Sequence, residues 1–222
     1  MLDIIKKAVK EGRKTLSEYE SRLVIESAGV LVAAAALAKT KEESIQEAEK
    51  IGYPVVMKGC SAELSHKTEA GMVALNISSA REVAQVFEEL SGKATNLDGV
   101  LVEKMVKGSR EFVIGLSQDP SFGPCVMFGL GGIFTEALKD VTFRVAPLSK
   151  EDALEMIDEI KTKKLLGEFR GSPAVDRDAL ARALVGIGDL AIKYSAIAEI
   201  DINPLIICGD KPVAVDALVV LK

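Results

Sequence analysis

The chain has 222 residues, 48% hydrophobic and 27% charged, with a formal net charge of -5 at pH 7. That composition describes an ordinary globular protein with room for one large core or two small ones, and its acidic balance argues against a nucleic-acid backbone as ligand. No apolar run approaches the ~20 residues needed to cross a bilayer, so no membrane partner is expected. The three scattered cysteines, Cys60, Cys125 and Cys208, fit reduced thiols in a cytoplasmic protein better than disulfides or structural zinc.

The first residues, MLDIIKKAVKEGRK, interleave apolar and charged positions at helical spacing and lack the pattern of a cleavable signal. Three helix starts follow. SEYE at 17–20, TKEE at 40–43 and SARE at 79–82 each match the capping box, in which a hydroxyl and a carboxylate satisfy orphan backbone donors. Gly29 and Gly52 stand where the first two of these helices should stop. Between the helices, residues 30–33, 53–57 and 72–77 are rich in apolar and β-branched side chains and predict strands. The second half predicts strands at 100–106, 111–116, 124–130 and 142–145, helices near 149–160 and 178–194, and two last strands at 198–202 and 213–219 around a turn at Gly209 and Asp210. The turn Lys107-Gly108-Ser109 reads as a seam, giving an N-terminal lobe over 1–107 and a C-terminal lobe over 108–222. Two α+β lobes are the expected fold class, with a single doubly wound sheet as the alternative.

Several residues point to chemistry. His66 is the only histidine, set in the polar loop CSAELSHKTEAGM between two predicted strands. Together with Ser61, Ser65, Lys67, Thr68 and Gly71 it forms a group able to cradle an anion, and an imidazole there can act as a nucleophile toward phosphorus. Taken alone, it also fits a surface histidine making one hydrogen bond. Lys58 ends the apolar string YPVVMK and can place a point charge against phosphates, or can simply leave the sheet for solvent. In EIDINP, strand alternation puts Glu199, Asp201 and Asn203 on one face. Asp216 interrupts the aliphatic run VAVDALVV, so Asn203 and Asp216 on neighbouring strands can offer oxygens to magnesium, which takes few protein ligands beside substrate phosphates. The glycine run FGLGGIFTE suits either close approach to phosphate or tight packing, and does not match the dinucleotide fingerprint.

Taken together the strings TLSEYESRLVIESAG, GYPVVMKGCSAELSHKTEAGMV, GVLVEKMVKGSREFVIGL, FGLGGIFTEALKDVTFRVAPLS and AEIDINPL with VAVDAL resemble the ATP-grasp fold, and within it the nucleotide-binding subunit of ADP-forming acyl-CoA synthetases. The resemblance spans about residues 15–220. It departs from the family where Gly71 is followed by Met72 rather than a second glycine, and where residues 30–38 are unusually alanine-rich.

The resemblance implies two lobes clasping Mg-ATP or Mg-ADP. It implies that Lys58 touches the nucleotide phosphates, that Glu103, Lys104, Met105 and Val106 form a hinge strand against adenine, and that Glu111 reaches the ribose. Asn203 and Asp216 would hold Mg2+, His66 would carry phosphate in transit, and Asp201 would orient it. It further implies a separate CoA-binding alpha subunit, in a hetero-oligomer of the alpha2beta2 kind, that makes the acyl phosphate. Two rival readings are a carboxylate ligase forming acyl phosphate in its own cleft, and a regulatory module that senses nucleotide without transferring phosphate.

Overall fold

The computed structural model describes residues 2–63, 71–94, 96–132 and 139–222. The chain divides into two compact units: a smaller one of residues 16–20 and 33–105, and a larger one of residues 1–15, 21–32 and 106–222. The seam lies two residues from the turn read in the sequence, but the division is not one cut, because residues 1–15 and 21–32 belong with the second half of the chain.

The smaller unit is built from β1 (Ala35–Ala38), α3 (Lys41–Ile51), β2 (Val55–Cys60), β3 (Val73–Ile77), α4 (Ala80–Lys93) and β4 (Gly99–Lys104), with its strands in the order β1-β4-β2-β3. Every pairing in this sheet is antiparallel. Alternation sends Val55 and Met57 of β2 and Val100 and Val102 of β4 into a core with Val83 and Leu90 of α4 and Ala48 of α3. Val56, Lys58, Leu101 and Glu103 therefore lie on the other face. Thr40 and Glu43 form a complete capping box at α3. At α4 the box is half made: Ser79 accepts from the Glu82 N–H, whereas the Glu82 carboxylate reaches back to the N–H of Ser78, 2.7 Å away.

The larger unit contains α1 (Leu2–Lys10), most of α2 (Glu18–Glu26), β5 (Glu111–Asp119), β6 (Gly123–Leu130), β7 (Val141–Val145), α5 (Lys150–Glu159), a 3-10 turn (Lys163–Leu166), α6 (Arg177–Lys193), β8 (Ile197–Cys208), β9 (Lys211–Ala214) and β10 (Leu218–Leu221). Its strands run β10-β8-β5-β6-β7, with β9 also paired to β8. All of these pairings are antiparallel too. A doubly wound sheet would need parallel neighbours, so that alternative falls. Helices α5 and α6 cover one face, against which Phe112 and Phe128 stack with ring centroids 5.5 Å apart. Gly188 lets α6 approach Val126 and Leu148 closely.

Two predicted strands are corrected. The strand expected at 30–33 lies instead at Ala35–Ala38, and Val32 makes only an isolated bridge to Ala214. The β-branched residues are outweighed because a free partner edge, not propensity, decides where a strand forms, and β4 offers that edge to the alanines. The run expected at 213–219 is two strands. β9 pairs with the far half of β8 and β10 with its near half, so residues 215–217 form a break opposite the cis Asn203–Pro204 bond. Asp216 lies in that break rather than within a strand.

Candidate functional site

Lys58 leaves β2 on the face of the smaller sheet opposite α3 and α4, but it does not reach solvent. It is 6% exposed, and its Nζ donates to Glu18 Oε1 at 2.8 Å and sits 3.1 Å from Glu103 Oε2. Glu103 comes from β4, the neighbouring strand, and Glu18 from the first turn of α2, within the same unit. Ser17 and Glu20 fix that turn through reciprocal bonds of 3.3 and 3.0 Å. Cys60, two residues along β2, lies under the same turn, where burial pushes its thiol up and contacts with Tyr19 and Ser17 oppose the shift.

The segment expected to meet adenine is tied closely into the fold. The Glu103 side chain is turned inward to Lys58. Lys104 Nζ donates to the carbonyls of Gly52 and Tyr53 at 2.7 and 3.3 Å, and the Met105 N–H donates to Pro54. What this stretch can offer a base is its backbone from Met105 onward, including Val106. Glu111 opens β5 in the larger unit, with its carboxylate lying over Gly132.

In the larger unit, Ile200 and Ile202 point into the helix-covered core, so Glu199, Asp201 and Asn203 emerge on the opposite face as their alternation requires. Asp216 is brought beside them because the Val215 N–H donates to the Pro204 carbonyl at 3.3 Å. Register then lays one row across five strands: Leu218, Asp201, Gly115, Met127 and Phe143. A side chain at Gly115 would crowd the Met127 methyl. Its absence leaves an open hollow of about 340 Å³ floored by this row and by Glu199 and Val220. Asp201 as a residue is solvent-exposed, yet its carboxyl is pushed up to about 6, first by the protein displacing its water and then by the Asp216 and Glu199 carboxylates. The structure thus brings Asp201, Asn203 and Asp216 together in one unit and Lys58 and Glu103 together in the other.

The oxygen donors Asn203 and Asp216 suit a hard divalent cation, and the crowding that raises Asp201 is what such a cation would relieve. Among the described residues no cluster of three or more His, Cys, Asp or Glu is placed to hold a metal. His66 and its neighbours at 64–70 lie outside the described residues. The glycine run behaves as packing: side chains at Gly129 and Gly131 would collide with the backbone of Asp140 and Phe112.

Sequence reasoning missed Glu18 as a site residue. It reads there as an acidic residue of a helix first turn, the commonest place for one. The signal was spacing: Glu18, Ser21, Arg22 and Ile25 share one helix face, and that face is buried.

A model of the ATP-grasp domain matches residues 7–221. The chain belongs to the ATP-grasp family. Within it, this ATP-grasp chain is 44% identical to the acetate–CoA ligase [ADP-forming] I subunit beta of Pyrococcus furiosus, over 99% of this chain and 97% of that one, and it belongs with those beta subunits. It is 37% identical to acetate–CoA ligase [ADP-forming] I of Archaeoglobus fulgidus, over 99% of this chain but 33% of that longer one. Its fold superposes on the dinucleotide-forming acetyl-coenzyme A synthetase 1 of Ca. Korarchaeum cryptofilum with a TM-score of 0.94 and 41% identity, covering 99% of both chains. A second structure of that enzyme, with coenzyme A and Mg-AMPPCP and its phosphohistidine segment pointing towards the nucleotide site, matches with a TM-score of 0.87. Among the described residues no helix is long and apolar enough to cross a membrane.

Proposed function

We propose that this chain is the nucleotide-binding subunit of an ADP-forming acyl-CoA synthetase, which converts acyl-CoA, ADP and phosphate into a free acid, CoA and ATP. The observation that carries the reading is the set Asp201, Asn203 and Asp216, gathered on one face of the larger sheet, where burial and the neighbouring carboxylates push the Asp201 carboxyl up. Likeness to the ADP-forming beta subunits supplies the substrate class.

In this reading a CoA-binding alpha subunit, assembled with this chain as alpha2beta2 in the cytoplasm, forms acyl phosphate. His66 attacks its phosphorus and releases the free acid, and ADP then takes the phosphoryl group from the imidazole. Phosphoryl transfer asks the protein mainly for placement and charge neutralisation. Lys58 meets the nucleotide phosphates, Met105 and Val106 offer backbone to adenine, with Glu103 and Lys104 holding that strand in place, and Glu111 reaches the ribose. Asn203 and Asp216 hold magnesium, which when bound offsets charge developing between phosphohistidine and nucleotide. Asp201 accepts from the ring N–H of His66 and fixes its tautomer, as the carboxylate does in catalytic triads.

The test is covalent. With γ-labelled ATP and magnesium, in the presence of the alpha subunit, the chain should take up protein-bound label that is acid-labile and base-stable, and His66→Ala should lose it while still binding nucleotide. Label that persists in His66→Ala, or no label on either protein, would overturn the reading.

A further inference from the structure

The break at residues 215–217 carries Asp216 between β9 and β10, outside the pairings of both strands. Backbone without sheet partners needs other bonds to hold it in one place. Those bonds come from the stretch of chain around α2, within the same unit. The Ala214 N–H donates to the Leu31 carbonyl at 2.8 Å and the Leu221 N–H to that of Lys14 at 2.7 Å, which secures the strands on either side of the break. Between them two side chains act. Arg22 Nη1 donates to the Val215 carbonyl at 3.4 Å, and the Ser21 hydroxyl accepts from the Val219 N–H at 3.1 Å. Val215 is thereby tied at its carbonyl as well as at its N–H, which donates to Pro204. Neither residue is an ordinary choice for the buried side of a helix, since a serine hydroxyl competes for local backbone and a guanidinium is rarely buried. Here they are 0% and 4% exposed and reach backbone 198 and 193 residues further along.

We infer that Ser21 and Arg22 are positioning residues for the metal site: they fix the backbone on either side of Asp216, so that its carboxylate and the Asn203 amide oxygen meet magnesium together. The inference rests on the assignment of Asp216 to magnesium. Asp216 Oδ1 accepts from the Ala217 N–H at 2.9 Å, so the carboxylate is tied to the backbone of the break and moves when that backbone moves. Magnesium demands near-ideal octahedral placement of its few protein ligands. Outer-shell partners that set such placement govern metal affinity by about tenfold or more. A packing role alone predicts otherwise: loss of either side chain would lower stability, and the folded protein would bind metal and nucleotide as before.

The experiment uses the full chain with ADP, and magnesium ion is the probe. Two quantities are read for each variant: the magnesium concentration that gives half of the full rise in Tm at a fixed ADP concentration, and Kd for ADP in metal-free buffer. Ser21→Ala removes one oxygen and substitutes the best helix former, so the fold is retained. Arg22→Met removes the donor and keeps an unbranched side chain; where it is unstable, Ser21→Ala decides. In both, the magnesium midpoint should rise about tenfold, while Kd for metal-free ADP stays where it was. Arg22→Lys, which keeps a donor and a positive charge, should return the midpoint most of the way. Midpoints that match the unaltered chain, or metal-free ADP binding that weakens by the same factor, overturn the inference. Asp216→Asn separates it from the assignment beneath it. If that variant keeps the midpoint of the unaltered chain, magnesium does not sit on Asp216 and the assignment itself fails. If it loses the magnesium response while S21A and R22M keep theirs, Asp216 stands and only the roles of Ser21 and Arg22 fall.

Discussion

Asp201 illustrates a residue kept against its own contribution to folding. Its carboxyl is pushed up to about 6 by displaced water and by Asp216 and Glu199, against 3.8 for a free aspartate. The folded state therefore holds a proton that the unfolded chain releases earlier, and stability falls as pH rises from about 4 to about 6 through this group. Asp201→Asn should raise Tm at pH 8 and change it least at pH values well below 3.8, where Asp201 is protonated in both states. A variant less stable at pH 8 than the unaltered chain would mean that Asp201 has a favourable partner instead. Magnesium should narrow the gap at pH 8, because a cation on Asn203 and Asp216 relieves the same repulsion. Asp216→Asn with Asn203→Ala should abolish that response, read as the loss of the magnesium-dependent shift in Tm. This part of the site was legible in the sequence because strand alternation alone puts Glu199, Asp201 and Asn203 on one face, and because a carboxylate among aliphatics needs a reason. The inward turn of Glu103 was not legible, since it depends on which residue the adjacent strand places beside it.

Elements here are set by local chemistry at their ends and by partners in their middles. The helix starts at Thr40 and Ser79 follow from a hydroxyl with a carboxylate three residues on, and the structure places both where that pattern falls. Strands were less readable: β8 runs on past Pro204 and the aliphatic run after it splits in two, because long-range pairing, absent from any local window, decides both. Arg110 shows how a non-repetitive region is held. Its buried guanidinium donates to four carbonyls, those of Leu165 and Gly167 at 3.0 and 3.1 Å from one nitrogen, and Pro173 and Gly209 at 2.8 and 3.1 Å from the other. Those acceptors lie in and after the 3-10 turn and at the β8–β9 turn. Arg110→Leu fills the volume but leaves the carbonyls without donors, and should cost about 3 kcal/mol or more in urea unfolding. Arg110→Lys, with one ammonium for four acceptors spread over two nitrogens, should recover less than half of that. Equal stability of the leucine variant would mean that solvent replaces the arginine there. Met72 explains the departure from a double glycine: it is 2% exposed in the core of the smaller unit, and its methyl lies where a side chain at position 59 would have to go. Met72→Ala should therefore cost about 2 to 3 kcal/mol, measured the same way.

At the scale of the whole molecule the question is what this chain can do alone. The Archaeoglobus relative aligns with all but a small part of this chain yet uses only 33% of its own length to do so, whereas the Pyrococcus beta subunit aligns over 97% of its length. In the first architecture the ATP-grasp part is joined to the rest of one polypeptide; in the second the name itself declares a subunit. The hollow over Gly115 is open, with Leu218, Val220, Met127 and Phe143 in its lining beside Glu199 and Asp201, and Phe143 is 55% exposed on an edge strand. Under the proposed reading the acyl group is handled elsewhere, so acyl preference and nucleotide affinity should separate cleanly. The chain alone should bind Mg-ADP yet form no ATP from acetyl-CoA, ADP and phosphate. Addition of the CoA-binding alpha subunit should restore turnover and shift the sedimentation of both chains to one heavier species. Exchange of that subunit for one with a different acyl preference should change kcat/KM for the acyl-CoA and leave Kd for ADP where it was. Turnover by the chain alone at the rate of the mixture would place the whole reaction in this polypeptide and contradict the division.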